Sequence, residues 1–197
     1  MGRRCSAKGA IFMIEAVTQT FLEIQKQDVM KGTTDIPSFA REMTPKEIHS
    51  YEEANKPIRY VETRNQSLEN DLHPITGVPF EKKIIELPSG EVVEGVFPEF
   101  PVTYEVQLEE QQYLNSDARQ FKTAIRNLGQ DVEYNLDLQK KFTPEQLEQI
   151  KYSETPDGYV WHHSEQPGVL QLVDKELHDK SGHTGGRNLW GGGTEHR

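Results

Sequence analysis

The stretch Tyr159-Val160-Trp161-His162-His163-Ser164-Glu165-Gln166-Pro167-Gly168-Val169-Leu170-Gln171-Leu172-Val173-Asp174 decides how this chain is read. Two runs of strand-forming residues flank a Pro-Gly turn, so 159–163 and 169–173 are expected to pair as a β-hairpin. Asp174 suits the N-cap of a short helix over Lys175 to Lys180, and Gly182 suits its end. This strand–turn–strand–helix unit carries four of the chain's seven histidines: His162, His163, His178 and His183. Adjacent strand residues point to opposite faces, so the tandem histidines should have different tasks. One would join His178 and His183 in holding a divalent metal ion, Zn²⁺ or Mg²⁺/Mn²⁺, while the other serves as a base. Three imidazoles with an open position form a catalytic donor set, and a further imidazole accepts a proton from water near neutral pH.

His178 and His183 lie five residues apart, about 500° of helix, and cannot share a face of one continuous helix. They converge only if the helix ends near Gly182 and the chain turns back. The Gly-rich run Thr184 to Gly193 suits that turn, and its amides together with Arg187 are candidates to hold a phosphate.

Upstream, apolar residues at near-helical spacing predict an amphipathic helix over 10–27, followed by a linker over 28–45. Thr44-Pro45 with Glu47 signals a helix start, with the helix running towards Asn55. His73 to Phe80 reads as an ordered loop. Lys83–Leu87 and Glu91–Phe97 read as a β-hairpin turning at Pro88-Ser89-Gly90. A helix is expected from Ser116 towards Leu128, stopped by Gly129, and a second over roughly Asp131 to Lys141. Thr143-Pro144-Glu145-Gln146 caps a third, ending near Ile150. The class is α+β.

Composition narrows the function classes. Of 197 residues, 22 are basic and 32 acidic, for a net charge of −10, so a broad electropositive nucleic-acid surface is excluded, though a local one is not. No apolar run approaches the roughly 18–20 residues of a membrane span. The run Ala10 to Met13-Ile14 is broken at Glu15, short of a secretory signal core. A single cysteine, Cys5, supports neither an internal disulfide nor a multi-cysteine zinc site.

Trp161-His162-His163, Leu170-Gln171-Leu172-Val173, His178 and His183-Thr184-Gly185-Gly186 together resemble the WHH branch of the HNH/endonuclease VII nucleases. These are C-terminal toxin domains of bacterial polymorphic toxins, including the LXG type. The likeness takes in Tyr60 to Asn65, His73 to Phe80 and Thr155 to Tyr159, and runs from about Met43 to the C-terminus. It implies a ββα-metal (His-Me finger) core at about 156–190 in a toxin domain over 43–197, packed with helices and a β-hairpin from earlier in the chain. Residues 1–42 are then an N-terminal extension and linker. The resemblance further implies a metal-dependent endonuclease acting on DNA ahead of RNA, and a cognate immunity protein. It implies manufacture in a bacterial cytoplasm and delivery to competitor cells. By the same likeness His162 is a metal ligand with His178 and His183, and His163 is the general base. The asparagine that orients the base in many HNH enzymes is missing, and Gln171 on the return strand is its candidate substitute. The last two histidines are five apart, where colicin-type DNases have four.

Plainer readings stand beside these. His49 and His196 read as surface or satisfied core residues, His73 as structural, and Trp161 as a packing anchor. Arg64 reads as a solvated or salt-bridged arginine, with a phosphate contact as the alternative. Two other function classes fit the composition: a non-catalytic zinc-stabilised binding module, and a decayed nuclease acting as an interaction protein. A purely structural metal site explains three histidines and leaves the fourth without a role.

Overall fold

The computed structural model describes residues 56–196 together with Thr44 and Lys46. The helices expected over 10–27 and from Thr44 towards Asn55, and the linker between them, otherwise lie outside the described residues. From Lys56 onward the order is β1 (Ile58–Tyr60), β2 (Asp71–Leu72), β3 (Pro79–Glu86), β4 (Val92–Pro98), β5 (Val102–Gln107), α1 (Asp117–Tyr134), α2 (Leu136–Gln139), α3 (Pro144–Lys151), β6 (Tyr159–His163), β7 (Val169–Asp174) and α4 (Lys175–Ser181). The strands form two sheets, in the orders β1-β4-β3-β2 and β5-β7-β6. The architecture is α+β, as expected.

The hairpin of β6 and β7 and the helix behind it follow the local signals closely. His162 pairs opposite Gln171 and His163 opposite Leu170. The Asp174 carboxylate accepts the Leu177 amide at 2.9 Å, capping α4. Thr143 and Gln146 form the expected capping box at the start of α3, with Pro144 in its first turn.

Three expectations are corrected. Gly129 does not stop α1, which continues to Tyr134. A Cβ there would lie 3.7 Å from the Ile150 carbonyl, so the bare glycine faces α3, against which α1 packs. The buried stripe Ala124, Ile125, Leu128 and Val132 outweighs the roughly 1 kcal/mol propensity cost of a helical glycine. The helix expected over Asp131 to Lys141 is therefore divided. Asn135 breaks it, and its side chain accepts the amides of Asp137 and Leu138 to start α2. The loop read over His73 to Phe80 ends earlier, because Pro79 and Phe80 already open β3, where a leading proline costs no needed ladder bond.

Strand β5 was not foreseen, although Val102, Tyr104 and Val106 alternate at strand period. It pairs antiparallel with β7 and makes that strand central. One face of β7 joins a core of Ala124, Leu128, Ile150, Trp161, Leu170 and Leu172 beneath α1 and α3. Its other face carries Val173 into a second core with Val78, Phe80, Val96 and Phe100. Trp161 is buried edge-on to Tyr104, the packing anchor expected.

Candidate active site

Pleat alternation sends the two tandem histidines in opposite directions. His162 projects from β6 towards Phe100, whose ring meets those of His162, His178 and His183 at centroid distances of 5.0, 5.5 and 5.2 Å. His178 stands on α4. His183 returns to it because the helix ends at Ser181 and Gly182 takes a left-handed conformation, φ 47°, which suits a residue lacking Cβ. The three imidazoles each present a nitrogen, and these atoms lie within 4.8 Å of one another. His183 Nε2 and His162 Nδ1 are 3.1 Å apart.

Burial sets the charge of this cluster. Desolvation, followed by the neighbouring His183 and His178, holds His162 well below the usual imidazole range. Desolvation, with the charges of His178 and Arg64, lowers His183 to about 4. His178 is lowered by burial as well, against the opposing pull of Asp179. All three are therefore neutral at pH 7 and offer lone pairs, the form in which imidazole binds a metal. The donor set fits a divalent cation, and His183 Nδ1 is a buried polar atom without a hydrogen-bond partner among the described residues.

The turn that brings His183 back is held from outside the hairpin. Asn65, itself left-handed, donates Nδ2–H bonds to the carbonyls of Ser181 and Gly182 at 2.7 and 2.6 Å. The Arg64 amide donates to Thr184 Oγ1 at 2.9 Å. His73 Nδ1 meets Thr76 Oγ1 at 3.1 Å, and Thr76 Oγ1 meets Ser181 Oγ at 2.8 Å. His73 is thus a brace for the end of α4, in keeping with its structural reading.

On the opposite face, His163 packs between Phe121 and Trp190. Its Nε2 lies 2.7 Å from Oε1 of Gln120, a fully buried side chain on α1. The Gln120 amide nitrogen donates to the carbonyls of Gln112 and Tyr113 at 2.9 and 2.8 Å, which fixes the amide with its oxygen towards His163. His163 Nε2–H therefore donates, and Nδ1 is the basic nitrogen. Sequence reading missed Gln120, since a glutamine within an expected helix carries no local signal.

Arg187 is buried, with Nε 3.0 Å from Asp117 Oδ1 and Nη1 3.2 Å from Gln120 Oε1. Its remaining donors reach the carbonyls of Tyr113, Asn115 and His196. It stands behind Gln120 as a buttress. Gln171 lies across the strand pair from His162, on that residue's face of the sheet, and donates to Glu105 Oε2 at 2.8 Å. The structure does not bring it to His163. His162, His163, His178 and His183 nonetheless border one pocket of about 290 Å³, with Asp117 and Arg187. The Gly-rich run closes one side of it. A Cβ on Gly186 would fall 1.7 Å from the Ser164 carbonyl, the same oxygen that accepts Trp190 Nε1–H at 2.9 Å.

Fold and site together define an α+β domain whose ββα hairpin gathers a metal-competent histidine cluster and a separately held fourth imidazole. Residues 89–185 match the family model of the DNase/tRNase domain of colicin-like bacteriocins. The matched stretch is slightly under half of the chain, includes all four histidines, and supports a nuclease toxin domain. No curated protein and no solved structure matches the chain. No helix among the described residues is long and apolar enough to cross a membrane.

Proposed function

We propose that this chain is a metal-dependent endonuclease toxin of the WHH type that hydrolyses phosphodiester bonds, DNA ahead of RNA. One observation carries the reading: three neutral imidazoles converge in the same pocket as a fourth held on a different support. His162, His178 and His183 hold one divalent ion, Zn²⁺ or Mg²⁺/Mn²⁺. When bound, it polarises a phosphate oxygen and stabilises the charge on the leaving oxygen. His163 takes a proton from the attacking water at Nδ1, while Gln120 accepts the Nε2–H bond and keeps the ring in that tautomer. Arg187 acts on the base through Asp117 and Gln120, not as a phosphate ligand. Phe100 and the buried strand face limit water around the cluster, which strengthens electrostatics there.

With a net charge of −10, substrate affinity rests on a few local contacts and on the ion. Modest binding with a shallow salt dependence follows, since few phosphates are neutralised. A toxin of this kind requires a cognate immunity protein in the producing cell, and it acts in the cytoplasm of competitor bacteria after delivery. The fourth histidine favours catalysis over a purely structural metal site, which has no use for a base held by Gln120.

The test is nicking of supercoiled plasmid and degradation of structured RNA by the purified chain with Mg²⁺, Mn²⁺ or Zn²⁺, with and without EDTA. Metal-dependent cleavage that disappears in His163→Ala supports the assignment and ranks the two polymers. No cleavage by folded, metal-loaded protein overturns it in favour of a zinc-stabilised module.

A further inference from the structure

In a chain with ten more acidic than basic charges, most of the described surface cations are matched with carboxylates. Arg59 pairs with Glu91, Lys82 with Glu69 and Glu94, Lys83 with Glu99 and Glu165, and Lys175 with Asp179. Arg64 differs. It is exposed, and its guanidinium has no ion-pair or hydrogen-bond partner among the described residues. The head group lies over the turn that delivers His183: a Cβ on Gly182 would sit 2.8 Å from Arg64 Cζ and 2.9 Å from Nε.

Its backbone is as fixed as its head group is uncommitted. Thr63, buried, donates Oγ1–H to the Val96 carbonyl at 2.8 Å. The Arg64 amide is tied to Thr184, and Asn65 grips the carbonyls of Ser181 and Gly182. Three consecutive residues thus fix the backbone that carries this guanidinium beside the metal cluster. A planar fork of five donors, already placed and not neutralised by an acid, is suited to a phosphodiester oxygen pair. Packing alone does not account for it, since an exposed arginine stem over a glycine turn needs no charge.

We infer that Arg64 is a phosphate-binding residue of this site, holding the polynucleotide backbone at the mouth of the pocket beside His183. The inference rests on the nuclease reading and specifies where the substrate's negative charge is received. The Gly182 turn under its head group leads directly into His183, so the contact falls beside the metal cluster.

The experiment compares wild type, Arg64→Ala and Arg64→Lys in plasmid nicking across a series of salt concentrations. Zinc affinity and thermal melting are measured on the same proteins. Arg64→Ala is expected to lower kcat/KM by about 10–100-fold, with metal affinity and melting unchanged. Arg64→Lys should recover part of the loss, because charge returns without the fork. The slope of log binding against log salt, measured with a labelled duplex on inactive His163→Ala, should become shallower by about one when Arg64 is also removed. Equal cleavage by wild type and Arg64→Ala, or a loss that tracks weakened zinc binding or melting, overturns this inference and leaves the nuclease standing. A wild type that cleaves nothing overturns both.

Discussion

His163 Nε2 and Gln120 Oε1 meet at 2.7 Å in the interior, although 43 residues separate them. Gln120 is fully buried and both its amide hydrogens are engaged by carbonyls, so the bond orients the imidazole from a rigid helix. Replacing Gln120 by Leu removes the acceptor and leaves the Gln112 and Tyr113 carbonyls without that donor. A stability loss of about 1–3 kcal/mol is expected. Cleavage should fall about tenfold or more in variant protein shown to be folded, with zinc affinity retained. Urea titration beside single-turnover cleavage checks both, and an unchanged rate would remove Gln120 from the mechanism.

His163→Ala should reduce cleavage by about 10²–10⁴-fold, the range of a general base. Metal affinity should stay within a few-fold of wild type, because the ring faces away from the three-histidine cluster. Isothermal titration with Zn²⁺ and plasmid nicking separate the two quantities. A matching loss of metal would make His163 a ligand.

His178→Ala or His183→Ala should show the reverse pattern. Each removes one of three convergent donors, so zinc affinity should drop by more than the roughly 10–100-fold seen for outer partners of metal ligands. Added metal should also stabilise the wild type by mass action, about 2.7 kcal/mol at a hundred times the dissociation constant. A melting temperature indifferent to Zn²⁺, Mg²⁺ and Mn²⁺ would exclude the cluster as a metal site.

Acid should destabilise the metal-free protein before its carboxylates titrate. The folded imidazoles are depressed, His183 to about 4, whereas the unfolded chain takes up protons near pH 6.5. The unfolded state therefore binds more protons between those values. Stability is fully present above about pH 6.5 and declines as pH falls towards 4. Chemical denaturation at pH 7.5, 6 and 5 in EDTA should show a steady drop, which His183→Gln reduces. A flat profile would mean that the cluster is hydrated and ordinary.

Gly186→Ala forces a methyl group into the Ser164 carbonyl and the Trp190 indole. Overpacking against backbone should cost about 2–3 kcal/mol and loosen the wall beside His163. Trp fluorescence and melting report the change. An unaffected protein would show that the Gly-rich run does not close the pocket.

The histidine-bearing hairpin is written in local signals. Strand-forming runs around Pro167-Gly168, the Asp174 cap and the Gly182 turn act within a few residues, so β6, β7 and α4 were legible without neighbours, and the meeting of His178 with His183 followed on condition that the helix ended near Gly182. What surrounds those histidines comes from packing between distant elements. Phe100 reaches the three rings through sheet packing, Gln120 reaches His163 from another helix, and Asn65 holds the returning turn from more than a hundred residues away. Gln171 carried the right chemistry for a base-orienting partner, yet register turned it to the face of His162 and Glu105. Helix α1 likewise passed through Gly129 because burial along one stripe outweighed a local breaker. Caps, turns and periodicity are local energies that a short window of sequence states. Which buried polar group meets which is a matter of sheet register and packing, and is fixed only once the chain has folded.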